Sequence, residues 1–188
     1  MTPADELVRT YRLLRRNALN DSHSGNASVR HRFGIWVTPT GACADTLRPE
    51  QLVACQPGRE PPPGATLDAR LHLEVYARNP GTGAVLHAHN PHTTALTLDG
   101  RDFRPVDFEG AYYFDRVPVL DIPYAEYVER SPAAVAGALG DHKVVVVRGH
   151  GVYARGPDLN LAYKWVASVE QSARIAWLAR MAGTAPAD

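Results

Sequence analysis

The apolar positions of the chain switch repeatedly between a helical and a strand-like period. Leu7, Tyr11, Leu14 and Ala18 recur at helical spacing. They follow Thr2-Pro3-Ala4-Asp5, which supplies a capping hydroxyl, a first-turn proline and a capping-box acid. Asn20-Asp21-Ser22 and Ser24-Gly25-Asn26 break that helix. Residues 27–30 and 34–37 then read as two short strands joined by a turn, and Thr38-Pro39-Thr40-Gly41 as a tight loop. A strand over 52–55 and a rigid surface loop around Pro61-Pro62-Pro63-Gly64 follow. Leu67-Asp68 opens a helix with Leu71, Val75 and Ala77 inward, and Asn79-Pro80-Gly81 stops it.

Residues 84–89 form the next strand, and Pro91 starts a short helix through Leu98. No period dominates from Asp99 to Ala111. A strand over 117–120 precedes a helix that Ser131-Pro132 begins and Gly140 ends. Lys143 and the four valines after it read as a strand buried on both faces, with 151–154 returning beside it. Asp158 caps a long last helix with Ala162, Trp165, Val166, Val169, Ala173 and Ala176 on one stripe. Several short strand–turn–strand links break any clean β–α–β–α alternation, so the pattern predicts a mainly antiparallel sheet flanked by helices.

Composition narrows the class. At 188 residues the expectation is a single domain over 1–188. The formal net charge is zero, so no basic field points to nucleic acid or an anionic membrane. The two cysteines, Cys43 and Cys55, make no metal or disulfide pattern and suit a reducing compartment. No signal-peptide pattern and no long apolar run appear, which predicts a cytoplasmic protein.

The candidate chemistry lies in three histidines. His87 and His89 stand at i and i+2 on a strand and share a face. His150, in Arg148-Gly149-His150-Gly151, arrives from a turn after another apolar strand. Three neutral imidazoles with a fourth position open suit a catalytic divalent metal, Zn2+ first, with Mn2+, Co2+ or Fe2+ as alternatives. Asp68 reads either as a first-turn carboxylate favoured by the helix dipole or as a proton carrier beside the metal. His72, one turn on, reads as structural rather than as a metal partner, and His92 as a surface or outer residue of the pocket. His23, His31 and His142 read as surface or loop residues. Ser24-Gly25-Asn26-Ala27-Ser28 and Thr38-Pro39-Thr40-Gly41 offer amides and hydroxyls that can cradle a phosphate.

These motifs, in this order and over about residues 5–182, resemble the class II aldolase/adducin family. The resemblance implies a three-layer α/β/α fold with a central, mostly antiparallel sheet, and a homotetramer. It implies His87, His89 and His150 as metal ligands and Asp68 as the catalytic acid–base group. It places Asn26, Thr40, Gly41 and Thr66 at the phosphate of a small phosphorylated sugar. The implied reaction is cleavage of a ketose 1-phosphate to dihydroxyacetone phosphate and an aldehyde through a metal-stabilised enediolate. Epimerases, dehydratases and decarboxylases of the same superfamily, and the non-enzymatic adducin heads, are the alternatives. Thr66-Leu67-Asp68 departs from the family's Ser-Ser-Glu: Leu67 removes a hydroxyl, and Asp68 is one methylene short. His23 replaces a small hydroxyl residue. For a tyrosine that some aldolases supply from their tail, Tyr112, Tyr113 and Tyr124 are the candidates.

Overall fold

The computed structural model describes residues 1–185. Seven strands form one sheet in the order β3-β2-β1-β4-β7-β6-β5. They are β1 (Asn26–His31), β2 (Gly34–Val37), β3 (Val53–Cys55), β4 (Ala84–Ala88), β5 (Val119–Leu120), β6 (Val144–Val147) and β7 (Gly151–Gly156). Every neighbouring pair is antiparallel except β5 with β6.

Helices cover both faces. On one side α1 (Pro3–Arg16) and α6 (Leu159–Ala182) pack Leu7, Tyr11, Leu14, Ala162, Val166 and Val169 against Ala27, Leu86, Val144 and Val146. On the other, α2 (Ala69–Arg78) and α5 (Tyr127–Asp141) pack Leu71, Val75, Val135 and Leu139 against Ile35, Val85, Val145 and Val147. The alternate valines of β6 thus feed both layers, as a doubly covered strand requires. Two short helices, α3 (Pro91–Leu96) and α4 (Phe108–Tyr113), complete the chain. This is the expected three-layer α/β/α arrangement. No helix of the described residues is long and apolar enough to cross a membrane.

Local departures from the sequence pattern have physical causes. α1 ends at Arg16, and Ala18, expected inside its stripe, is exposed in a left-handed turn at φ 54°. The Leu19 N–H reaches back to the Leu14 carbonyl, so Leu19 takes the buried place. Ala77 is exposed because the buried face of α2 runs through Leu73 and Tyr76 instead. α5 starts at Tyr127, four residues before the predicted Ser131, with Pro132 inside the helix. The proline removes a hydrogen bond to the carbonyl of Val128, a half-exposed residue where water can serve instead. The undecided stretch after Asp99 holds a bridge from Phe103 to Val117 and the helix α4, capped by Asp107.

Sheet register aligns the site. Asn26 of β1 pairs with His87 of β4, and His87 pairs with Tyr153 of β7. These three side chains therefore form one row across the sheet, on the face covered by α2 and α5.

Candidate metal centre

The first of the three histidines is fixed by its strand. His87 is 1% exposed, and its Nδ1–H donates to the Val152 carbonyl at 3.0 Å. That bond sets the tautomer and leaves the Nε2 lone pair facing inward. Nε2 of His89 lies 3.0 Å from Nε2 of His87, and Nε2 of His150 lies 3.2 Å from it. His89 stands just past the end of β4. Its backbone N–H is held by the Leu19 carbonyl at 2.9 Å and by Asn20 Oδ1 at 2.8 Å.

His150 sits in the β6–β7 turn. Gly149 supplies the positive φ of 68° there. At Gly151 the chain passes so close to β4 that a Cβ would meet the Ala88 carbonyl oxygen at 2.4 Å, so only glycine fits beside the His87 strand.

The ligand atoms of the three histidines all lie within 4.8 Å of one another, the only such grouping among the described residues. Burial lowers the pKa of all three rings, His87 most strongly, so they are neutral donors of lone pairs. Tetrahedral ligands about 2.0–2.1 Å from one zinc ion stand about 3.3 Å apart, close to the two separations found here. The residues present fit a divalent cation with three nitrogen ligands and open positions.

Asp68 lies beside this cluster but outside it. It occupies the N-cap position of α2, yet its side chain makes no capping hydrogen bond. The carboxylate turns inward and is 5% exposed. Oδ1 accepts from Tyr127 at 2.8 Å; Oδ2 accepts from Tyr153 and from Asn26 Nδ2, both at 2.8 Å. Burial by itself would raise the Asp68 pKa; the His87 ring and the hydrogen bonds from Asn26 and Tyr127 outweigh it and hold it at about 2. Burial, and then the Asp68 charge, push both phenols up, so they remain protonated donors.

Behind Asn26 the polar groups form a chain. His72 is wholly buried; its Nε2 lies 2.7 Å from Asn26 Oδ1 and its Nδ1 lies 2.6 Å from Ser28 Oγ. Ser28 Oγ is also 3.0 Å from the Tyr76 hydroxyl. Burial lowers the His72 pKa to about 4, so the ring is neutral. His72 is thus a structural histidine that orients Asn26.

The expected phosphate residues are near one another but differ in exposure. Asn26 and Thr66 are buried, whereas Thr40 and Gly41 are exposed. Thr66 N–H bonds the Thr38 carbonyl and Thr40 N–H bonds the Gly64 carbonyl, which ties the two loops together. Both ends of the Asn26 amide are already engaged, by Asp68 and His72. Leu67 is 67% exposed and lines a cleft of about 400 Å³ with Ile122, Tyr124, Tyr127, Arg148 and His150.

His92 is partly buried, with Nδ1 2.7 Å from Glu170 on α6. His23 is exposed on its loop, and His31 stacks on Trp36. Of the three tyrosine candidates, Tyr124 lines the cleft, Tyr113 packs on Trp165, and Tyr112 is exposed. Sequence reasoning missed Tyr127 and Tyr153. The i+3 spacing of Tyr153 from His150, across a glycine and into a strand, was the one available signal, and Tyr127 offered none.

With this geometry in place, the chain can be set beside known proteins. Residues 5–177 match the class II aldolase and adducin N-terminal domain family, and the chain belongs to it. The 5-methylthioribulose-1-phosphate/5-deoxyribulose-1-phosphate aldolase of Rhodospirillum rubrum is 30% identical over 165 residues, 85% of this chain and 73% of that protein. The L-fuculose phosphate aldolase of Escherichia coli is 28% identical over 187 residues, 97% of this chain and 86% of that one. The structure of l-fuculose-1-phosphate aldolase from Thermus thermophilus superposes with a TM-score of 0.89 over 98% of both chains, at 33% identity.

Proposed function

We infer that this protein is a metal-dependent aldolase that cleaves a ketose 1-phosphate to dihydroxyacetone phosphate and an aldehyde. The observation that carries this reading is the convergence of three imidazole Nε2 atoms beside a buried carboxylate. The aldolase relatives named above support the reaction class.

His87, His89 and His150 would hold the cation, with Zn2+ favoured by three neutral nitrogens. Once bound, it supplies Lewis-acid stabilisation of the charge that develops on substrate oxygen when the carbon–carbon bond breaks. Asp68, ionised at neutral pH, takes and returns the proton at the reacting carbon, after substrate displaces part of its hydrogen bonding. Leu67, Ile122 and Tyr127 wall the cleft beside His150. Thr66, Thr40, Gly41 and Asn26 are assigned to the phosphate end. A single domain assembled as a cytoplasmic homotetramer completes the proposal.

The test is direct. Protein reloaded with Zn2+ is incubated with L-fuculose 1-phosphate and with 5-deoxyribulose 1-phosphate, and dihydroxyacetone phosphate is assayed. Its release from either sugar supports the reading; none from both overturns it. One observation favours a second reading. Leu67 and Arg148 line the same cleft, which pairs an apolar wall with a cation and suits an oxo acid. Carbon dioxide release from such acids, without aldol cleavage, would establish decarboxylation instead.

A further inference from the structure

Asp68 is held by two phenols that approach from opposite elements of the fold. Tyr127 comes from the start of α5 and donates to Oδ1, and Tyr153 comes from β7 and donates to Oδ2. Each tyrosine also rests on a different metal-site histidine. The Tyr153 ring stacks on His87 with centroids 4.1 Å apart and planes 5° apart. The Tyr127 ring meets His150 edge-on at 4.9 Å. The two phenolic oxygens touch each other as well. Among the contacts that fix Asp68, Tyr127 alone also lines the cleft.

A carboxylate has about four lone-pair sites. Tyr127, Tyr153 and Asn26 occupy three of them, which leaves one, on Oδ1. The arrangement therefore selects a single direction in which Asp68 can act. It also fixes a size. A side chain one methylene longer would carry its carboxylate about 1.5 Å further, one carbon–carbon bond, into the phenol pair. Both phenols are held from the side, the Tyr153 ring by the face of His87 and the Tyr127 ring by the edge contact with His150.

We propose that Tyr127 and Tyr153 are positioning residues that fit this site to an aspartate: one hydrogen bond to each carboxylate oxygen sets its direction, and the paired rings fill the space a glutamate would need. This rests on the reading of Asp68 as the acid–base group. Tyr153 is 0% exposed, so it acts on substrate only through Asp68 and His87.

The experiment compares D68E in two backgrounds, the natural chain and Y127F/Y153F, with Y153F alone as a third variant. Four quantities are read: kcat and KM for cleavage of L-fuculose 1-phosphate or 5-deoxyribulose 1-phosphate, the metal content, and the unfolding temperature of metal-free protein. Y153F should lower kcat by about tenfold to a hundredfold, as loss of one hydrogen bond to a charged group implies, with KM and metal content unchanged. D68E should lower kcat and the unfolding temperature in the natural background. In Y127F/Y153F the same change should lower neither, because the longer acid now has room. Equal effects of D68E in both backgrounds would overturn the proposal. If the natural protein cleaves neither sugar, the aldolase reading fails, and the unfolding comparison still decides the clamp: a background-dependent effect upholds it, and an additive one sinks it.

Discussion

His72 donates its Nε2–H to Asn26 Oδ1 at 2.7 Å, and that proton position follows from the residues around it. The Asn26 nitrogen must face the acid, because ionised Asp68 can only accept. Asn26 therefore turns its carbonyl oxygen to His72, and Nε2 of the ring has to be the donor. Nδ1 then accepts from Ser28. The ionised Asp68 carboxylate thus settles which way the Asn26 amide points and, through it, the tautomer of the neutral His72 ring buried on α2.

Asn26→Ala tests that chain. The substitution leaves a wholly buried His72 N–H without its acceptor and removes one donor from Asp68. Stability should fall by about 1–3 kcal/mol, measured by urea unfolding. An unchanged midpoint together with a raised KM for sugar phosphate would show that Asn26 serves phosphate alone.

The same ring makes stability depend on pH. Burial lowers the His72 pKa to about 4, while an unfolded histidine titrates near 6.5. Between those values the unfolded chain binds the extra proton, so stability rises with pH. The contribution is complete above about pH 6.5 and is lost as pH falls towards about 4, about 3 kcal/mol in all. Thermal scans of metal-free protein across this window check it. A flat unfolding temperature, or the same slope in His72→Gln, would contradict it.

Removing a ligand should silence the site. Nε2 of His89 is 3.0 Å from that of His87, and His89→Ala leaves two nitrogens where three converge. Metal retained after dialysis, measured by mass spectrometry, should drop to background. Activity should fall by more than the about 10–100-fold typical of losing an outer partner. Full activity in metal-free protein would refute the metal-dependent scheme.

Leu67 offers a gain-of-function test. It is 67% exposed, so Leu67→Ser should change stability by no more than about 0.5 kcal/mol. The restored hydroxyl should tighten inhibition by inorganic phosphate by about tenfold, the value of one hydrogen bond to a charged group. Unchanged inhibition would place the phosphate away from this wall of the cleft.

Glu170 links the last helix to α3, the short helix that follows β4. It is 8% exposed and accepts from the backbone N–H groups of His92 and Thr93, the Thr93 hydroxyl and the His92 ring. Glu170→Ala should strand these donors and cost about 3 kcal/mol, read from chemical unfolding. A cost below about 0.5 kcal/mol would mean that water replaces the carboxylate without loss.

The sequence by itself picked out the three histidines that converge and most of the sheet. Strand period carries His87 and His89 to one side, and glycine on either side of His150 permits its turn, so local chemistry was enough. It also marked Asp68, but could not say whether the acid served the helix end or the site. That choice, with the roles of Tyr127 and Tyr153, was made by tertiary structure alone. The partners of Asp68 lie 42, 59 and 85 residues away along the chain. They meet only because the register of β1, β4 and β7 lines up Asn26, His87 and Tyr153 on the face that α2 and α5 cover. Periodicity reports which face a side chain takes; it does not report which distant side chain shares that face, and a buried carboxylate is defined by the donors it meets there.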